Sequence, residues 1–280
     1  MIVDAHVHVW EVPPIAPVGQ TSPKPIIPQG EAGTAEELID DMDANGVDKA
    51  VLVQASFSTW YNRYVADSAR KFPDRFVAMG LVDPLDPDNA SVIRYWAEER
   101  GMVGFRFHPM YYDDEAILTV NRNAAMWEAI DDLGAVVQLH ILAKHAPQVA
   151  AVAENHPAVP IVLDHLAYPD VSEAPRFASH RQVLELALFP NVFVKVSDVH
   201  DHSGEDLPYR DIHPFVRQVQ DAFGTDRLMW GTGYPGTQRV KNGWPTLADE
   251  LRLVREGYDW LTDAEKARLL GGTAEAVWGL

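Results

Sequence analysis

Eight short apolar runs, separated by helix-like stretches, restrict this chain more than any other feature. The runs cover residues 1–10, 49–55, 76–82, 102–108, 135–142, 160–165, 192–197 and 227–231. Most are unbroken stretches rich in Val, Ile, Leu and Phe, as expected of parallel strands covered on both faces. Helical patterns fill 34–46, 58–72, 89–100, 121–133, 147–155, 180–188 and 211–223, and two more, 246–256 and 263–277, close the chain. The first opens on Thr34-Ala-Glu-Glu37, a capping box. Eight βα units in 280 residues point to a (β/α)8 TIM barrel, with 1–280 as one α/β domain. Residues 11–33 are rich in Pro and Gly and too long for an ordinary connection, so they are expected to form a lid-like loop over the end of the first strand.

The formal charge of −18 argues against nucleic acid and anionic membrane surfaces as partners. With no cysteine, disulfides and thiolate metal sites are excluded, so any metal must be held by nitrogen and oxygen. No apolar run is long enough for a transmembrane helix. The opening residues lack the basic and apolar regions of a signal peptide. A cytoplasmic enzyme with a small-molecule substrate is the expectation, with self-association into a homo-oligomer left open.

Function in a barrel sits where the strands end. Strand one ends at His6 and His8, whose side chains project from one face about 6.5–7 Å apart. Two imidazoles converging there make part of a metal site. The later strands end in Arg106 and His108, in His140, in Asp164 and His165, in Lys195 and Asp198, and in Gly231-Thr-Gly-Tyr-Pro235. Imidazole, guanidinium and carboxylate thus gather at one end of the barrel. Trp10, Tyr168 and Tyr234 follow strand ends and suit a flat or apolar substrate.

The segments Val3-Asp-Ala-His-Val-His8, Gly104-Phe-Arg106, Gln138-Leu-His140, Leu163-Asp-His165, Arg227-Leu-Met-Trp-Gly231 and Leu270-Gly-Gly-Thr273 occur in that order over nearly the whole chain. In them the chain resembles the amidohydrolase-related branch of the amidohydrolase superfamily, which includes lactonases and aminocarboxymuconate-semialdehyde-type decarboxylases. The resemblance implies that His6, His8 and His140 are metal ligands and that His165 handles water or substrate. It also implies an aspartate near the end of the last strand, where this chain has Gly233. Asp198 could replace that carboxylate, a water could fill its place, or hydrolysis could have been lost.

The first reading is a hydrolase of a small cyclic ester, carboxylated or aromatic, using a divalent ion (zinc or manganese) whose bound water attacks the carbonyl. Arg106 and Lys195 would then hold a substrate carboxylate, with His108 beside them. His165, oriented by Asp164 or another carboxylate, would move the proton. The second reading is a non-oxidative decarboxylase or hydratase of an aromatic or unsaturated acid. The third is a metal-free or catalytically lapsed barrel that binds a ligand.

Overall fold

The apolar runs form eight parallel strands whose order in space is their order in the chain. The computed structural model describes residues 1–11, 33–56, 60–112, 116–119, 123–233, 239 and 242–280. Its strands are β1 (Val3–Val7), β2 (Lys49–Val53), β3 (Phe76–Leu81), β4 (Gly104–Phe107), β5 (Val136–Leu139), β6 (Ile161–Leu163), β7 (Val192–Val196) and β8 (Leu228–Trp230). With their flanking helices they make a nearly closed (β/α)8 barrel. Each strand is shorter than its apolar run, because the last residues of each run turn out to form the mouth. No helix among the described residues is long and apolar enough to cross a membrane.

The capping box forms as expected: Glu37 N–H donates to Thr34 Oγ1 at 3.2 Å, and Thr34 N–H donates to Glu37 Oε2 at 3.0 Å. The helix it opens, Ala35–Asn45, ends on left-handed Gly46. The pattern over 89–100 divides into an α-helix, Asn89–Arg94, and one π turn, Tyr95–Glu99. A four-residue helix after β7, Val199–His202, has no signal in the apolar pattern. Trp10 and Gly33 pair as an antiparallel bridge. Most of the proposed lid, residues 12–32, lies outside the described residues.

The barrel interior is layered. Inside the barrel Val51, Val53, Met79, Val136, Val162 and Met229 pack together with Trp278 of the last helix. Above that apolar plug the inward positions become Arg106, His140, Asp164 and Lys195, all buried. In β1, Val3 and Ala5 belong to the inner cluster and Val7 to the outer one. The pairing of β1 with β2 shifts register between Asp4 and Val7. One extra residue there reverses which face the chain presents, and His6 and His8 turn inward.

The seam between β8 and β1 is bridged by Asp4. Its carboxylate accepts from Thr232 N–H (3.0 Å), Thr232 Oγ1–H (2.6 Å) and His6 N–H (3.0 Å). Burial pushes this carboxyl up to about 6, with the hydrogen bonds from Thr232 and His6 opposing. Asp4→Ala strips two buried backbone N–H groups of their partner, each worth about 1–3 kcal/mol when left unsatisfied. A total loss of about 2–5 kcal/mol is therefore expected, read as a lower urea midpoint at unchanged slope.

Candidate active site at the barrel mouth

His8 donates from Nδ1 to the Val53 carbonyl at 2.8 Å, so its Nε2 carries a lone pair. That lone pair faces His6 Nε2 at 3.3 Å. The two rings meet edge to face, 4.9 Å apart. Gly231 admits His6, since a Cβ at that position would stand 2.9 Å from His6 Cβ. Burial, then Arg106, lowers His8 to about 4. Burial and Lys195 hold His6 well below the usual imidazole range. Both rings are neutral at pH 7.

Below them lies a buried charge centre. Asp164 accepts from Arg106 Nε at 2.7 Å, and its other oxygen lies 3.2 Å from Lys195 Nζ and 3.4 Å from His6 Nδ1. Lys195 Nζ also stands 3.0 Å from His6 Nδ1. Burial raises the Asp164 carboxyl, but Lys195, Arg106 and His6 outweigh it and hold the group well below the usual carboxylate range. Lys195 is lowered to about 8 by burial, partly countered by Asp164.

From this centre a chain of contacts runs toward the mouth. Arg106 Nη2 donates to His165 Nε2 at 3.2 Å, which places the imidazole proton on Nδ1. That nitrogen hydrogen bonds with Ser197 Oγ at 3.0 Å and faces Asp198 Oδ2 at 3.1 Å. The Asp198 side chain is 19% exposed, and burial pushes its carboxyl up to about 7. His165 to Tyr168 are four successive residues with φ between 51° and 57°. A left-handed backbone costs roughly 1–2 kcal/mol per non-glycine residue, and such strain gathers at functional sites. The turn brings Tyr168 Oη to His140 Nε2 at 2.7 Å. His140 Nδ1 is buried with no hydrogen-bond partner among the described residues. His108 stacks on Tyr111 at 5.0 Å and meets His140 edge-on at 5.2 Å.

A family model described as amidohydrolase matches residues 3–280. The chain belongs to the amidohydrolase family. It is 27% identical over 282 residues to an L-fucono-1,5-lactonase of Burkholderia ambifaria, covering 97% of this chain and 93% of the relative. It is 28% identical over 249 residues to a 2-pyrone-4,6-dicarboxylate hydrolase of Comamonas testosteroni, covering 83% and 76%. Among solved structures, an amidohydrolase of Burkholderia multivorans with bound zinc superimposes with a TM-score of 0.78 at 22% identity, covering 100% and 99%.

In this amidohydrolase, His6, His8, Arg106, His108, His140, Asp164, His165, Lys195 and Asp198 all lie at or just below the mouth, linked through the contacts above. Tyr168 joins them. Arg106 and Lys195 are directed at Asp164, with Lys195 fully buried. Trp10 is buried with its ring against Gly33, at the base of the long loop. Tyr234 lies outside the described residues. Ser197 is an addition that was recoverable, since it follows Lys195 by two residues on an inward-facing strand; Tyr111, an aromatic expected from its place after a strand end, stacks on His108. The buried Arg239–Glu250 pair (2.7 Å), whose Arg239 also donates to the Thr232 carbonyl, had no local signal.

Proposed function

We propose that this amidohydrolase opens a small cyclic ester, with a lactone as substrate and Asp198 as the base that takes a proton from water. The observation that supports it is the run of contacts Asp164–Arg106–His165–Asp198, which leads from a buried charge centre to a partly exposed carboxylate. A carboxyl near 7 is matched to accepting and returning a proton at neutral pH. Water oxygen bonds to the ester carbonyl carbon while its proton passes to Asp198. The ring C–O bond then breaks, and the departing oxygen takes the proton back from Asp198, leaving a hydroxy acid. His165, fixed by Arg106 as the Nδ1–H tautomer, positions Asp198. Tyr168, whose Oη rests on His140 Nε2, offers a hydrogen bond to the substrate, and Tyr111 and His108 offer a flat wall. The names of the lactonase and pyrone hydrolase relatives favour the same chemistry.

The residues fit a divalent metal, zinc or manganese. Two nitrogens each about 2.0–2.1 Å from one zinc in tetrahedral arrangement lie about 3.3 Å apart, the spacing of His6 Nε2 and His8 Nε2. Asp164 beside His6 Nδ1 and the Val53 carbonyl on His8 are the outer partners such ligands need. His140, with its orphaned Nδ1, is the third candidate by the family resemblance; its donors do not come within 4.8 Å of those of His6 and His8 together, so its ring would have to turn toward an ion. Three other donors, on His6, Asp164 and His165, lie within 4.8 Å of one another. Arg106 and Lys195 already neutralise Asp164 there, so a dication on that carboxylate is electrostatically disfavoured. A bound ion would supply Lewis-acid polarisation of the carbonyl or of water.

The test is acid release from a panel of sugar lactones and 2-pyrone carboxylates, followed by pH-stat alongside carbon dioxide detection with aromatic acids. Hydrolysis with kcat/KM of about 10⁴ M⁻¹s⁻¹ or more is expected. Carbon dioxide release without lactone opening would overturn the hydrolase reading in favour of a decarboxylase. Metal content after zinc-supplemented expression is expected near one equivalent, and His8→Ala is expected to lose it without unfolding. Retention of the metal in that variant would overturn the ligand assignment.

A further inference from the structure

We infer that Gly233 and Asp198 are a matched pair: the side chain absent at 233 leaves the recess in which the Asp198 carboxylate stands to face His165. The inference rests on the proposed role of Asp198 and adds a positioning residue to it.

A Cβ built on Gly233 would lie 2.5 Å from Asp198 Oδ1 and 3.2 Å from both Cγ and Oδ2. A separation of 2.5 Å is far inside any carbon–oxygen contact, so the carboxylate would have to move. Neither backbone offers an easy retreat. Gly233 N–H donates to the His6 carbonyl at 2.7 Å, which ties position 233 to β1. Asp198 is itself left-handed, with φ 48°, and its carbonyl accepts from Asp201 N–H at 2.9 Å as the helix Val199–His202 begins. With both chains anchored, relief has to come from rotation of the Asp198 side chain, which turns Oδ2 away from His165 Nδ1. One recess therefore takes one carboxylate, borne by β7 or by β8 but not by both. In this chain the β7 side provides it.

Gly233 also has φ +65°, so a substitution there is strained as well as crowded. Gly46 separates the two effects: its φ is +70° and a Cβ there would meet nothing within 4 Å. Gly46→Ala thus reproduces the backbone strain without the contact.

The experiment reads the His165 ring by ¹⁵N NMR and, in parallel, kcat and KM on the best lactone. Gly233→Ala is expected to shift the His165 Nδ1 signal and to lower kcat by about 10²-fold with KM changed little. Gly46→Ala is expected to leave both at wild-type values. The exchange Asp198→Gly/Gly233→Asp is expected to recover at least about tenfold over Asp198→Gly, since a carboxylate again fills the recess and aspartate tolerates left-handed backbone better than most residues. A wild-type His165 signal in Gly233→Ala, or an exchange variant no better than Asp198→Gly, would overturn the pairing. If the wild-type protein opens no lactone, the hydrolase reading falls, while the NMR comparison still decides the pairing.

Discussion

Asp164→Leu is expected to destabilise the protein by about 5 kcal/mol, as removal of one partner from a buried ion pair leaves an uncompensated charge worth about 3–5 kcal/mol. Here the carboxylate serves two cations, Arg106 and Lys195, and all three groups are almost fully excluded from water. The loss approaches the whole stability of an ordinary domain, about 5–15 kcal/mol. Lys195→Met added to Asp164→Leu removes one stranded cation and replaces it with an apolar chain of similar length above Trp278. The double variant is therefore expected to be more stable than Asp164→Leu alone by about 2 kcal/mol, measured by urea unfolding as a double-mutant cycle. Strict additivity would show that Lys195 and Asp164 do not interact. The acid limb follows from the sign of the Asp164 shift. Its folded pKa lies well below the usual carboxylate value, so its contribution is complete above about pH 4, where the unfolded carboxylate ionises. It is lost as pH falls from there through the depressed folded value.

That centre was only half legible in the sequence. Parallel strands covered on both faces leave continuous apolar runs, so all eight strands and the histidines at their ends could be found by position alone. Strand alternation also places Lys195 and Ser197 inward. What a polar residue meets inside is a different question. Arg106 and Asp164 are 58 residues apart, and Lys195 and His6 are 189 apart, so nothing local distinguishes a cation aimed at substrate from one aimed at a buried carboxylate. The left-handed turn His165–Tyr168 contains no glycine, and therefore lacks the usual mark of such a backbone. The register shift in β1 is equally silent, because Val3, Ala5 and Val7 look alike whichever face they cover. Gly233 was visible as a departure from the family pattern. That its recess is filled by Asp198 is a property of two chain segments meeting, and required coordinates.

Asp198→Asn is expected to lower kcat/KM for lactone opening by about 10²–10⁴-fold, the usual contribution of a positioned general base. The amide has nearly the carboxylate's size and keeps an oxygen for His165 Nδ1–H, so the fold is expected to survive, and circular dichroism checks it. The pH profile separates a chemical role from a structural one. Burial raises Asp198 to about 7, and only its ionised form accepts a proton, so wild-type activity should climb with pH through about 7 and level off above it. His165 contributes no limb there, since burial holds it neutral well below its usual titration range. In Asp198→Asn the rise through 7 should vanish and leave a flat residual rate. His165→Ala makes the complementary case. It removes the ring whose Nδ1, hydrogen bonded to Ser197 Oγ, stands 3.1 Å from Asp198 Oδ2, so the carboxylate loses the neighbour that positions it and kcat/KM should fall. A limb near 7 that persists in Asp198→Asn would assign the proton to another group and remove Asp198 from the reaction.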